Sequence, residues 1–226
     1  MALILHIDTS IDIASICLSQ NEVILSSAQN ENMKDHAAWL QAAIADMIVS
    51  CGLSINKLEA VAVTNGPGSY TGLRVGLSTA KGICYALKIP LITIGTLELM
   101  AFKAKDYETD LLCPMIDARR MEVFTAIYDK NLYEIEKPHA RILDKNSFES
   151  ILSYKKILFF GNGSEKFKPL IKSKNCLFEN IKIAASDMVI IANQYFTKSE
   201  FANLAYAQPV YIKDFFNPSS GSTTKL

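Results

Sequence analysis

The feature that most constrains this chain is Gly66-Pro67-Gly68-Ser69-Tyr70-Thr71-Gly72-Leu73-Arg74-Val75-Gly76, which leads into a helical pattern ending near Leu87. It follows the apolar run Ala60-Val61-Ala62-Val63, so the segment predicts a strand, a tight glycine turn and a helix. A helix N-terminus carries unsatisfied N–H donors and the positive end of the helix dipole, so such a junction can face an anion. The helix behind it is costly. Gly72, Gly76 and Gly82 each lose about 0.5–1 kcal/mol relative to Ala in a helix interior, and close approach of another backbone is the usual compensation.

Two familiar glycine loops are excluded. A P-loop needs G-x-x-x-x-G-K-[ST], whereas Gly72 is followed by Leu73-Arg74. The dinucleotide fingerprint needs a glycine at Thr71; it comes one residue late, at Gly72, and no ribose-binding acid follows at the right distance.

Over 226 residues, 23 Lys plus Arg balance 23 Asp plus Glu, which argues against the broad basic face that dominates nucleic-acid affinity. The five cysteines are odd in number and never spaced C-x-x-C, as buried thiols of a reducing cytosol would be. The start, Leu3 to Asp8, reads as a first strand rather than a signal peptide, and no apolar run is long enough to span a bilayer. A cytoplasmic protein without a membrane partner is expected.

Strands are predicted at Ala2–Asp8, Ile13–Ser19, Glu22–Ala28, Leu58–Thr64 and Pro90–Ile94, with helices at Lys34–Cys51 (Asp35 as N-cap), Thr71–Leu87 and Thr96–Lys105. The polar stretch Lys103–Asp110 marks a boundary. Beyond it come strands at Leu111–Ile116, Glu122–Tyr128 and Lys156–Phe160, and helices at Asp144–Tyr154, Glu165–Lys172 and Ser186–Thr197. The layout is mixed α/β: residues 1–105 form one lobe, 106–216 a smaller one, and 217–226 a disordered tail.

Ile4-Leu5-His6-Ile7-Asp8-Thr9-Ser10, the glycine turn, Ala80-Lys81-Gly82 and Ile116-Asp117-Ala118-Arg119-Arg120-Met121-Glu122-Val123 together resemble the TsaB family, formerly YeaZ. The likeness covers nearly the whole chain except the tail. Met121 stands where the family usually has glycine, and Lys213 where arginine is common. The resemblance implies an actin-like, sugar-kinase, Hsp70 (ASKHA) α/β fold of two related lobes, the second reduced. It also implies a non-catalytic accessory role in placing threonylcarbamoyl on adenosine 37 of tRNA. The partners it implies are a catalytic metal-dependent TsaD-like paralogue, a TsaE-like P-loop ATPase and a second copy of the chain. By the same reasoning tRNA is met only indirectly, no cofactor is bound by the chain alone, and ATP belongs to the assembled complex. The paralogue's metal-binding His-x-x-x-His falls on Thr96 and Met100, neither of which replaces imidazole.

The three histidines, His6, His36 and His139, are too scattered for a metal cluster. His6 reads as a hydrogen-bonded strand residue and His36 as an interface or capping residue. Asp8-Thr9-Ser10 occupies the first phosphate loop of actin-like folds but lacks its glycine; with Gly66 and Gly68 it is a candidate vestigial nucleotide loop, against the plainer reading that Thr9 and Ser10 satisfy a turn. Asp117, Arg119 and Arg120 read either as a local ion pair or as residues that set lobe orientation. The sharper expectation concerns a docking face built from His36, Trp39, Leu40 and Ala43 of the first helix and Gly72, Leu73, Gly76, Thr79, Ala80 and Ile83 of the second, against the plainer reading that these strips pack only within the lobe. On the docking reading Gly76→Leu leaves the monomer folded and weakens assembly. The competing class, an autonomous phosphotransferase or metallopeptidase, lacks a recognisable set of metal ligands or activated nucleophile.

Overall fold

The computed structural model describes residues 2–30 and 36–213. Leu3–Asp8 (β1), buried at every position, forms the centre of the first sheet. Ala14–Gln20 (β2) and Val23–Asn30 (β3) extend it by antiparallel pairing, and Ala60–Gly66 (β4) and Leu91–Gly95 (β5) by parallel pairing, in the order β3-β2-β1-β4-β5. The second sheet repeats this plan. Leu111–Asp117 (β6) pairs antiparallel with Glu122–Asp129 (β7), which pairs antiparallel with Glu134–Ile142 (β8). On the other side, Ile157–Phe160 (β9) and Cys176–Glu179 (β10) add in parallel, in the order β10-β9-β6-β7-β8. Both sheets thus carry three meandering strands and two parallel ones, which is the pair of related actin-like lobes expected.

The reduction lies in the helices. The first lobe is covered by His36–Ser50 (α1) and Tyr70–Leu87 (α2), whereas among the described residues the second has only Glu149–Leu152 (α4) and Ser164–Phe167 (α5) outside its sheet. Because side chains alternate across a strand, Leu3, Leu5 and Ile7 of β1 face α1 and α2, meeting Leu40, Ile44, Leu77, Ala80 and Cys84. Ala2 and Ile4 face the other way, into a core shared by both sheets with Thr96–Ala104 (α3) and Val189–Lys198 (α6) between them. The outer side of the second sheet is closed by Phe148, Phe159 and Phe167, whose rings meet edge to face at 5.0–5.4 Å.

Three expectations are corrected. Asp144–Tyr154 forms only the short α4. Strands β8 and β10 appear where none was predicted; β8 is a polar edge strand containing Pro138, and β10 has only four residues. The two sheets lie on either side of residue 106, but the end of the chain does not stay with the second. Ala202 bridges to Leu91, the Lys81 ammonium donates to the carbonyls of Ala205 and Ala207, and the Val210 N–H donates to the Asn65 carbonyl at 2.7 Å. Residues assigned to the second lobe therefore end as a strap on the first. The N-cap expected at Asp35 and the tail at 217–226 lie outside the described residues. No helix among the described residues is long and apolar enough to cross a membrane.

Candidate functional site

The glycine turn is built as predicted, with Ser69 capping α2 by accepting from the Gly72 N–H at 3.2 Å. What fills it is the chain itself. The Thr9 hydroxyl donates to the Gly72 carbonyl at 2.7 Å, and the Ser69 N–H donates to the Ser10 carbonyl at 2.7 Å. A Cβ on Gly68 would lie 2.1 Å from the Ser10 carbonyl oxygen, one on Gly72 2.0 Å from that of Thr9, and one on Gly76 2.3 Å from Thr9 Oγ1. The loop from β1 is thus pressed against the start of α2, with Thr9 and Ser10 fully buried. The N–H groups of Ser69, Gly72 and Leu73 are all taken within the chain. Thr9 and Ser10 are spent within the turn, which closes the β1 loop on the start of α2.

Asp8 sits beneath this loop. One carboxylate oxygen accepts from the Ser10 N–H at 3.0 Å, the Ser10 hydroxyl at 2.6 Å and the Thr64 hydroxyl at 2.8 Å. Burial nevertheless raises its pKa, outweighing those bonds, and Asp187 adds to the rise. Asp8 also lines a cavity of about 320 Å³ between the lobes, together with Asp12, Met100, Asn162 and Lys182. Among the described residues no three His, Cys, Asp or Glu side chains converge as metal ligands. Thr96 and Met100 lie buried on α3. His6 is buried on β1 with Nε2 2.8 Å from the Ser19 hydroxyl, and His139 lies on β8 beside Glu136 and Arg141.

The expected docking face divides in two. Leu40, Leu73 and Ala80 are buried in the first lobe's core, and Gly72 and Gly76 turn inward on Thr9, so none of these five is available to a partner. Gly76→Leu would force a side chain into Thr9 and should destabilise the monomer. Trp39, Ala43 and Ile83 are partly buried against the same core, and nothing is described of the His36 side chain. Thr79 is buried between the two helices, where its hydroxyl accepts from the Gln41 amide at 2.9 Å and joins α1 to α2. Around that bond runs a groove of about 460 Å³ lined by Gln41, Ile55, Ser78, Thr79, Gly82, Ile83, Ala86 and Leu87. Gly82 has no neighbouring atom within 4 Å of its would-be Cβ.

The surface beside the groove is unusually apolar. The exposed side of α1 carries Ala42, Ala45 and Val49, with Asp46 its only acid or base between Ala37 and Ser50; Val49 is 75% and Tyr85, on α2, 80% exposed. A helix facing solvent ordinarily carries a charged stripe there. The missing charges of α1 were the available signal for these residues.

The hairpin between β6 and β7 also departs from expectation. Asp117 does not pair with either arginine. It binds the Lys166 ammonium at 2.6 Å and accepts from the Arg119 N–H at 2.5 Å. Arg119 (φ 68°) and Arg120 (φ 49°) are consecutive left-handed residues, each costing about 1–2 kcal/mol for a side chain with a Cβ. Links between lobes come instead from Asn162, whose amide donates to Asp12 at 3.1 Å while its oxygen accepts from the Asp117 N–H at 2.9 Å. Neither guanidinium has a side-chain partner among the described residues.

Comparison with known proteins agrees with this architecture. Residues 23–215 match the profile of the family described as TsaD: tRNA N6-adenosine threonylcarbamoyltransferase. The tRNA threonylcarbamoyladenosine biosynthesis protein TsaB of Buchnera aphidicola (subsp. Baizongia pistaciae) is 30% identical over 221 residues, covering 93% of this chain and 98% of the relative. TsaB of Bacillus subtilis is 30% identical over 172 residues, 75% of each. A crystal structure from Pseudomonas aeruginosa, described as an uncharacterized protein with similarity to peptidase YEAZ, superposes with a TM-score of 0.82 at 21% identity over 94% of this chain and all of that one, which shows the shared fold. The fold and these relatives define an ASKHA-type α/β protein of the tRNA threonylcarbamoyladenosine pathway. The chain belongs to the TsaB (YeaZ) family.

Proposed function

We propose that this chain is a non-catalytic scaffold and activator subunit that docks a TsaD-like transferase through the outer face of α1 and α2. The observation that carries the reading is that face: a groove around Gly82, flanked by a helix almost without charge, on a lobe whose inner side is already filled. An apolar surface of this kind is more costly in water than against another protein. Small residues at Ser78, Gly82 and Ala86 let a partner helix approach closely. A second copy of the chain would compete for the same surface. The transferase would supply the metal and the acyl transfer, a TsaE-like ATPase would join the complex, and ATP would be handled there rather than at the closed turn of this chain.

Co-purification with the TsaD-like paralogue of the same organism, followed by native mass measurement, tests the reading. Gly82→Arg should weaken that assembly by about ten-fold or more without lowering the thermal stability of the isolated chain. Unchanged assembly would remove the groove from the interface. Transfer of threonylcarbamoyl from its adenylate to tRNA by the isolated chain would refute the scaffold role altogether.

A further inference from the structure

We infer that the Arg119–Arg120 hairpin is a phosphate contact, gripping the phosphodiester backbone of the RNA that the assembled complex modifies; this rests on the functional reading above. The chain has four arginines. Arg74 donates to the Tyr211 hydroxyl at 2.8 Å and stacks 3.9 Å from the Tyr70 ring. Arg141 pairs with Glu136 and covers the Phe148 ring at 4.4 Å. The remaining two stand side by side on one hairpin tip, exposed, without a side-chain partner among the described residues.

The surrounding charges explain why. Asp117 and Glu122 are the hairpin's own acids, and each is neutralised by a lysine brought from elsewhere: Asp117 by Lys166 at 2.6 Å, Glu122 by Lys213 at 2.6 Å. The tip is left with two uncompensated guanidiniums in a chain whose formal charge is zero. Both arginines are held in left-handed backbone that glycine would adopt freely, and such outliers cluster at functional sites.

The ligand follows from what the tip offers. Guanidinium forks match phosphate oxygens and carry no need for an apolar surround. A protein footprint has an apolar centre, whereas the turn itself offers Met121 alone, 41% exposed, with Ile142 opposite Glu122 on β8 as the next exposed apolar side chain. Two contacts cannot hold an RNA by themselves in a protein with no broad basic face. They can fix its register on a complex that binds it mainly through another subunit, as phosphate contacts do.

The test uses the complex of this chain with its TsaD-like paralogue and a fluorescently labelled, unmodified tRNA transcript, with affinity read by anisotropy over a salt series. Arg119→Gln/Arg120→Gln should bind about ten-fold more weakly near 0.1 M salt, and the slope of log affinity against log salt should fall by about 1–2. Arg119→Lys/Arg120→Lys should keep most of that slope, whereas an equal loss in both pairs would mean a disturbed hairpin and overturn the inference. Unchanged affinity and slope in the Gln pair overturn it alone. So does weaker subunit assembly with unaltered tRNA affinity, which would make the tip a contact for an acidic protein surface. A wild-type complex that retains no tRNA overturns the functional reading and this inference with it.

Discussion

The two sides of α2 carry glycine for opposite reasons. On the inner side Gly72 and Gly76 stand where any Cβ would strike Thr9, so their absence of side chain is what lets the β1 loop close on the helix. On the outer side Gly82 touches nothing, and its conformational cost has no compensation within the described chain. A glycine whose cost is offset inside the fold says nothing about partners. One whose cost is not offset is informative, and the candidate interface lies about two turns further along the helix, around Gly82.

The largest expected effect separates the two inner glycines. Gly72→Val should destabilise by more than about 3 kcal/mol, because its Cβ would meet a backbone carbonyl that no side-chain change can withdraw. Gly76→Ala meets a hydroxyl, so trimming the neighbour makes room. Thr9→Ala should cost roughly 1 kcal/mol alone through the lost bond to Gly72, and the double variant Thr9→Ala/Gly76→Ala should be less destabilised than the sum of the two singles. Urea midpoints of the four proteins check this, and strict additivity would mean that Thr9 does not fill the space beside Gly76.

Three- and four-residue spacing identifies which residues of a helix share a face, and it placed Gly72 and Gly76 beside the buried Leu73–Leu77 stripe correctly. It does not identify what meets that face, and here the visitor is Thr9, more than 60 positions earlier in the chain. Alternation and turn residues made the first sheet and its helices legible almost to the residue. They failed at β8, whose edge position admits Glu, Lys and Pro, and at β10, too short to show a period. The hairpin's two arginines were visible, but their freedom was not, since it depends on Lys166 and Lys213 reaching the acids from distant segments.

pH should act on the opposite face of β1, which the alternation of side chains turns away from α2. Burial lowers the pKa of His6 to about 3, and its Nδ1 has no partner among the described residues. An unfolded histidine takes up a proton near pH 6.5, while the folded one resists until about 3. The unfolded state therefore binds more protons in that window, and stability falls as pH drops through it, by up to about 1.4 kcal/mol per pH unit. Asp8 works in the other direction: its raised pKa makes the folded state hold a proton that the unfolded state has released, so its contribution is lost as pH rises above 3.8. Denaturant midpoints between about pH 6.5 and 4 should fall in the wild type and flatten in His6→Gln. Parallel curves would show that His6 is not the residue resisting protonation.

The smallest effect is the most discriminating for the outer side. Gly82→Ala should raise stability by about 0.5–1 kcal/mol, the ordinary gain of alanine over glycine inside a helix, because the new methyl meets no atom. The same methyl lies in the groove that a partner helix would have to enter closely, so the gain in the monomer should be accompanied by weaker assembly with the TsaD-like paralogue. Thermal unfolding and a titration on one preparation read both quantities. A stability gain with undiminished assembly would leave Gly82 without a reason to be glycine on either side of the helix. Opposite signs in the two measurements would instead assign its cost to the partner, as the inner glycines' cost is assigned to Thr9.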